Sequence, residues 1–508
     1  MRRWPRLGAA PGITLTVCAW AWLAGAPTAR AAPLPAAVTE AEAPDAEDEG
    51  GSDADFDFGP EPAATTPQAA PPPPPPKRWA LTGIVRSEEA LWTERFGDNP
   101  FAKARQSLDL SFGYKWSSVR VLASLHGEWD AAYLVERSSY DEATLDTYET
   151  LTQIRETYVA ASLGPVELTV GRQIVAFGEG DALSPLDLCN PRDLREPGLA
   201  DLVDVRVPVL ATRIGYFRRN HRLELMWIHE AHFGFRVPPM GPLSPLPAAL
   251  DEASGPLGVD ASALLAGKEL RYAHRQDAFA WENQQFLLRW VRRGEGIDLG
   301  VVAGSVLDQQ GVIRGLDMTA FALPTSERID VPLDHLRYAV VGTTGAWAVG
   351  SVLLKWELAM QRGRPISTLD SSATIPVLGS TRSDAVDAMI GVTWRGISNT
   401  TLGLEVGKTT LLSSVPDMLF PVDAPIAVLR AQHSALRERL ELTAVAMAFG
   451  KTAQYGWLAR AEASYLLRDG LHAGLGYVTY QPGDAFGPFA GLDRHDRAMA
   501  RLRWDFAL

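Results

Sequence analysis

The sequence predicts an all-β chain: a transmembrane, antiparallel, up-and-down β-barrel of about 18 strands, with 16 as the fallback. Three observations predict it. Apolar and polar residues alternate with period two, in runs of about 10 to 14 residues, from Trp79 to the C-terminus. The runs are joined alternately by very short and by long connections. After the first 31 residues no 18-residue apolar stretch occurs, so a helical membrane span is not expected.

The first 31 residues read as an export signal. Arg2, Arg3 and Arg6 make a basic start, Ile13 to Ala26 is apolar but too short for a permanent anchor, and Ala29-Arg30-Ala31 suits cleavage before Ala32. Residues 32–77 differ in composition. Acids crowd between Glu40 and Glu61, and Pro71 to Pro76 is an unbroken proline run. Such a segment cannot bury enough apolar surface to offset its ordering entropy, so a disordered periplasmic linker is expected, with polyproline II at its end. The barrel is expected over 78–508. The formal net charge is -13, and the signal carries only basic charges. This acidity argues against nucleic acid or anionic lipid as the main partner. Only Cys189 remains after the signal, which allows no internal disulfide and is a poor zinc signature. No cofactor is expected.

The final run, "RAMARLRWDFAL", shows the alternation most clearly. Ala498, Ala500, Leu502, Trp504, Phe506 and Leu508 share one face, and Arg497, Arg501, Arg503 and Asp505 the other. Runs of this length suit a tilted strand that crosses a bilayer, whereas strands of a soluble sandwich are about five or six residues. Trp116, Trp129, Trp290, Trp394 and Trp504 stand near run ends, as an interfacial girdle requires. The runs read as strands 79–91, 104–116, 118–131, 153–163, 166–176, 208–218, 221–231, 281–292, 296–307, 335–346, 348–361, 384–395, 398–410, 434–449, 453–467, 470–481 and 495–508. That set is odd, and a barrel with both ends on one side needs an even one. The short-long alternation breaks at 411–433, so the missing strand is sought there. Short turns at Ser117-Ser118, Gly164-Pro165, Arg219-Asn220, Gly294-Glu295 and Asp469-Gly470 are expected at the periplasmic end, with long loops outside.

The stretch after strand 166–176 concentrates polar residues: "GRQIVAFGEGDALSPLDLCNPRDLREPG". Arg172 follows Leu168 and Val170 in phase and would face lipid. Either a bulge at Gly171 turns it into the lumen, or it ends the strand at the membrane rim. Asn190-Pro191 reads as a helix start, with Arg192 to Glu196 as one turn. Four readings of the loop are open. Glu179, Asp181 and Asp187 could bind Ca²⁺, though without EF-hand spacing. A carboxylate pair could hydrolyse a substrate. The loop could fold inward as a constriction, with Arg172, Arg192 and Arg195 facing Glu179, Asp181 and Asp187. Or it is an ordered external loop.

Strand parity adds wall residues to the lumenal set. Arg289, Lys355, Glu357, Arg439, Arg460 and Glu462 join Arg172, Gln173, Glu179, Asp181, Asp187, Arg192, Asp193 and Arg195 as candidate lumen or constriction residues. The same parity places Asp109, His126, Glu128, Gln284, Asp387 and Glu405 inside. Mixed charge suits a water-filled path for polar solutes, or charges that pair and hold the wall. Asp260 suits an N-cap for a helix over Ala261 to Leu270 that could plug the lumen or lie on the surface. Enzyme motifs are missing: no Gly-x-Ser-x-Gly elbow occurs, and His229-Glu230-Ala231-His232 lacks the metalloprotease spacing.

Gly171, Arg172, Gln173, Phe177, Gly178, Glu179, Asn190, Pro191 and Asp193 carry a resemblance. They resemble a motif of an uncharacterised family of Gram-negative outer-membrane barrels, in which Gly-Arg-Gln leads to aromatic-Gly-Glu and then Asn-Pro-x-Asp. Phe177 stands where Trp is usual. "RDGLHAGLGYVTYQPGDAFGPF" and "HDRAMARLRWDF" are similar as well, and the chain is more distantly similar to alginate-export porins. The resemblance implies a pore, and association with an envelope transport system that includes an inner-membrane exporter. The expected function is an outer-membrane channel for polar or amphipathic solutes, embedded in outer-membrane lipid and lipopolysaccharide. The alternatives are an outer-membrane hydrolase with a loop-borne site, or a structural barrel whose linker is its working part.

Overall fold

The computed structural model describes residues 78–94, 99–198, 205–244, 265, 268–313, 327–370, 377–419, 421–483 and 487–508. The expected signal and linker lie outside the described residues. In chain order the strands are β1 (Trp79–Trp92), β2 (Phe101–Trp116), β3 (Val119–Asp130), β4 (Thr150–Leu163), β5 (Val166–Gln173), β6 (Val209–Arg218) and β7 (His221–Ile228). Then come β8 (Glu269–His274), β9 (Gln285–Arg293), β10 (Ile297–Leu307), β11 (Val312–Ile313), β12 (Arg328–Asp334), β13 (Arg337–Val349) and β14 (Val352–Asp370). The last are β15 (Val377–Trp394), β16 (Thr400–Leu411), β17 (Ile426–Ala435), β18 (Leu440–Phe449), β19 (Trp457–Arg468), β20 (Leu471–Gln481) and β21 (Arg497–Ala507). The connection between β3 and β4 holds two 3-10 turns, Ala131–Leu134 and Arg137–Ser139, and the α-helix α1 (Glu142–Tyr148), capped by the Asp141 carboxylate.

Eighteen strands form one antiparallel sheet, and it closes. β1 pairs with β2 on one side and with β21 on the other, from Thr82 opposite Ala507 to Trp92 opposite Arg497. Closure leaves no unpaired edge, the condition for a sheet in hydrocarbon. The remaining strands, β8, β11 and β12, make a small sheet within the long connections.

The expected even count is met by β17. It begins inside 411–433, and the run read as 434–449 is two strands, the end of β17 and β18. The turn between them was illegible. Leu436, Arg437 and Glu438 all adopt left-handed φ of 53°, 58° and 65°. Non-glycine residues rarely do so, and no Gly or Asn marks the place. Arg439, expected in the lumen, belongs to that turn. It is exposed, and its guanidinium donates to the Leu466 carbonyl (3.1 Å). Gln284 is also not lumenal. It precedes β9 in the outward phase and accepts from the Trp227 indole at 2.6 Å. The helix expected over Ala261–Leu270 lies largely outside the described residues, and Glu269 and Leu270 open β8 instead.

The wall is inside out relative to a soluble protein. In β2, Lys103, Arg105 and Ser107 are buried while Leu108, Phe112, Tyr114 and Trp116 are exposed. In β15, Asp387 and Met389 are buried while Ile390, Val392 and Trp394 are exposed. Exposed apolar area this continuous is tolerated only against lipid or another apolar partner. The lumenal side is not uniformly polar. Val209, Ala211, Met226, Ile228, Leu287 and Val302 are buried inside the wall of β6 to β10, where they pack on Val175, Phe177 and Leu186 of the connection after β5.

Candidate functional site

The connection between β5 and β6 does not stay outside. It crosses the lumen, and buried charges on opposite walls hold it. Glu357 on β14 projects inward and its carboxylate gathers the chain around itself. It accepts the backbone N–H of Glu179 (2.7 Å), Gly180 (2.9 Å) and Leu186 (2.9 Å) and the Ser184 hydroxyl (3.0 Å). Glu405 on β16 repeats the arrangement one step on, accepting from Asp181 (2.6 Å), Ala182 (2.8 Å) and Leu183 (2.8 Å). Charge-assisted bonds of this kind are the strong ones. Gly178 is required by the approach, since a Cβ there would lie 1.7 Å from the Ser184 hydroxyl and 2.6 Å from Glu357.

The far side of the loop is tied to β2 and β3. Arg195 donates to Glu128 on β3 (2.6 Å) and to Asp193 (2.7 Å). Glu196 pairs with Arg105 on β2 (2.7 Å) and with Lys103. Burial would raise the Glu196 carboxyl, but Arg105 and Lys103 outweigh it and hold it at about 2. Burial likewise works against the Arg195 cation, and Asp193 and Glu128 more than restore it. β2 and β14 stand half-way round the ring from each other, so the loop is a strap across the lumen.

Ion pairs line the strap. Lys355 meets Asp181 at 2.6 Å, and Arg289 meets Glu179 at 3.4 Å and lies 5.3 Å above the Phe177 ring. Burial raises the Glu179 carboxyl, opposed by Arg289. Asp187 is buried between Arg206 (3.0 Å) and Arg192 (3.5 Å). Two cavities abut the strap. One of about 150 Å³ is lined by Asp187, Arg192, Phe233, Arg236, Asp308 and Arg364, among others. The other, of about 140 Å³, is walled by charges that include Lys103, Arg105, Glu128, Arg195, Glu196 and Glu462.

The family model described as "Protein of unknown function (DUF1302)" matches residues 93–487. The chain belongs to that family. A comparison with curated proteins gives no match. Among solved structures, Pseudomonas aeruginosa OpdK, determined with vanillate, is 12% identical over 85% of this chain and 98% of its own, at a TM-score of 0.45. Acinetobacter baumannii OccAB3 is 10% identical over 85% and 99%, at 0.46. Pseudomonas aeruginosa OccK2 (OpdF), in complex with glucuronate, is 12% identical over 85% and 97%, at 0.44. The chain's own geometry, and not these distant likenesses, carries the functional reading.

That geometry revises several expectations for this DUF1302 chain. Gly171 does have a left-handed φ of 135°, yet no bulge forms, and the ladders to β4 and β6 run through it without a shift. Arg172 therefore stays in phase with Leu168 and Val170 on the outward side, where it pairs with Glu230 at the rim. Gln173 is inward and buried, its amide donating to the Ala211 carbonyl at 2.8 Å. No helix starts at Asn190. Its Oδ1 accepts from Val175 (2.7 Å) and its Nδ2 donates to the Gln173 and Val207 carbonyls (both 2.9 Å), which clasps the two ends of the strap. Arg192 and Asp193 then make isolated bridges to Arg206 and Phe235. Glu179, Asp181 and Asp187 form no metal-holding group among the described residues, and each pairs with a different cation. Arg460 is buried in the wall, and Glu462 binds Arg501 at 3.0 Å. Lys103 and Arg105 were missed, although they occupy the inward parity of "AKARQSLDL". Arg206 and Glu196 give no such signal, since they lie in irregular chain.

Proposed function

We propose that this protein is an outer-membrane channel whose lumen is narrowed by the inward strap, admitting small polar or amphipathic solutes. The carrying observation is the anchoring of one loop to buried carboxylates on opposite walls. Loops tied down this firmly fix a constriction, and the ion pairs along it set the local field. Lys355–Asp181 and Arg289–Glu179 present both signs along the strap, and the neighbouring cavity combines Arg192, Arg236 and Arg364 with the Phe233 ring. That combination suits solutes with a polar end and an apolar body. In this reading the barrel works with an inner-membrane exporter as the outer limb of an envelope transport system, as the resemblance of its Gly171-to-Asp193 motif to outer-membrane barrels of that kind implies. The outward apolar belt and the short-turn end beside both barrel termini support an outer-membrane location with any N-terminal linker in the periplasm.

The test is single-channel recording from refolded protein in planar bilayers. Discrete conductance steps that shrink when amphipathic solutes are added support the reading. A correctly folded barrel that passes no current would sink it. A hydrolase reading has one favourable feature, the contact of His274 Nδ1 with His335 Nε2 at 2.8 Å. His335 Nδ1 is engaged with the Asp308 backbone carbonyl, not with a carboxylate that could orient it.

A further inference from the structure

We propose that the outer rim of β13, β14 and β15 is a docking surface for the phosphate groups of lipopolysaccharide. The proposal rests on the outer-membrane reading above. Three neighbouring strands end their lipid-facing stretch in charged residues. On β13 the outward positions from Trp347 to Ala339 are uncharged, and the next is Arg337. On β14 they run from Val352 to Met360, and the next is Arg362. On β15 they run from Trp394 to Val386, followed by Asp384 and Arg382. Each uncharged stretch spans nine residues, the length of about 9–11 that a tilted strand needs to cross the hydrocarbon. Arg337 and Arg362 stand one outward position past the belt and Arg382 two, beyond Asp384, all at the end carrying the long loops, where outer-leaflet headgroups begin.

The local geometry holds them together. Arg382 Nη1 donates to the Arg337 carbonyl (2.8 Å) and to the Gly363 carbonyl (3.1 Å). Gly363 turns there with φ of 71°, at a register shift in β14. Arg337 is held by the Glu282 and Gln284 carbonyls (both 2.7 Å) and by the Ser305 carbonyl and hydroxyl (both 3.2 Å), so its fork is occupied and it contributes charge only, while Arg362 presents its fork to the surface. Carbonyls orient these cations without neutralising them. Among the described residues Arg362 is exposed and makes no ion pair. Asp384 spends one oxygen on the Gly363 N–H (2.7 Å), and with the exposed Glu282, whose carbonyl holds Arg337, the neighbourhood sets three cations against two acids. The chain as a whole is acidic, at -13, so a basic rim runs against the general trend. Guanidinium forks match phosphate bidentately, and the apolar stretches directly below would lie along the acyl chains of the same molecule.

The experiment uses full-length protein purified from outer membranes. Retention of bisphosphoryl lipid A is measured by native mass spectrometry, beside its dephosphorylated form and phosphatidylglycerol. Heat-modifiable gel mobility checks folding. Wild type is expected to retain bisphosphoryl lipid A at least about tenfold better than either competitor, and Arg362→Gln with Arg382→Gln to lose that preference. Arg362→Glu alone, at a side chain with no structural bond, should lower it in a barrel that folds normally. Equal retention of the three lipids by wild type, or an unchanged preference in folded variants, overturns the proposal. Absence of the protein from the outer-membrane fraction overturns the location reading and this proposal with it.

Discussion

Removing the Glu405 carboxylate tests whether the strap sets the channel's bore. In Glu405→Ala, the N–H groups of Asp181, Ala182 and Leu183 lose their acceptor at 2.6, 2.8 and 2.8 Å. Hydrogen bonds to a charged group contribute about 1.5–3 kcal/mol each when their loss leaves a group unsatisfied. Lumenal water can take over some of this, so a net loss of about 3 kcal/mol for the strap's attachment is expected. At about 1.4 kcal/mol per factor of ten, that multiplies the detached population roughly 100-fold. The Glu357 bonds and the Lys355–Asp181 pair remain, so detachment is partial. Single-channel records should show a larger conductance level, visited far more often than in wild type. Glu405→Gln should fall between them, because one acceptor oxygen survives. The ladders of β15, β16 and β17 do not depend on this side chain, so heat-modifiable mobility should be retained. A folded Glu405→Ala barrel with a wild-type current histogram would refute the constriction.

Other outcomes follow from the same geometry. Lys355→Met removes the cation facing Asp181 (2.6 Å) and should shift the reversal potential in a salt gradient toward cation preference, with Asp181→Asn shifting it the opposite way. Asn190→Ala deletes a buried clasp of three hydrogen bonds and should destabilise the strap by about 2–4 kcal/mol, read as faster hydrogen exchange at Val175, whose N–H loses its acceptor. The β8–β12 sheet should loosen in acid. Burial, with Arg236 and His232 nearby, lowers His274 from 6.5 to about 4, and His335 is lowered as well. The unfolded loop binds protons more readily than the folded one, so the stability is present above about 6.5 and is lost as pH falls toward 4. Limited proteolysis of this sheet should rise across that window, and a His335→Phe variant should flatten the dependence.

Period-two alternation made most of the wall legible, because each strand had to satisfy two solvents at once. It failed where that demand relaxed or where backbone geometry broke a local rule. Inside β6 to β10 the lumenal side is apolar too, since it packs on Val175, Phe177 and Leu186, and the alternation there carries less contrast. At Leu436 to Glu438 the turn uses left-handed residues without a glycine, so two strands read as one. At Gly171 the residue type suggested a bulge, but continuous ladders on both sides kept Arg172 outward.

The sequence by itself determined the class, the outward belt and the identity of the polar connection after β5. Those depend on neighbours in the chain, and side-chain parity is a local property. Tertiary structure alone decided that the connection turns inward, and which charges meet. Glu357 and Glu405 lie far along the chain from the N–H groups they hold, and Glu196 reaches Lys103 and Arg105 across a gap in sequence that no spacing rule spans. Barrel closure sets which strands stand opposite each other, and only then does a loop of loosely spaced acids become a strap between two walls.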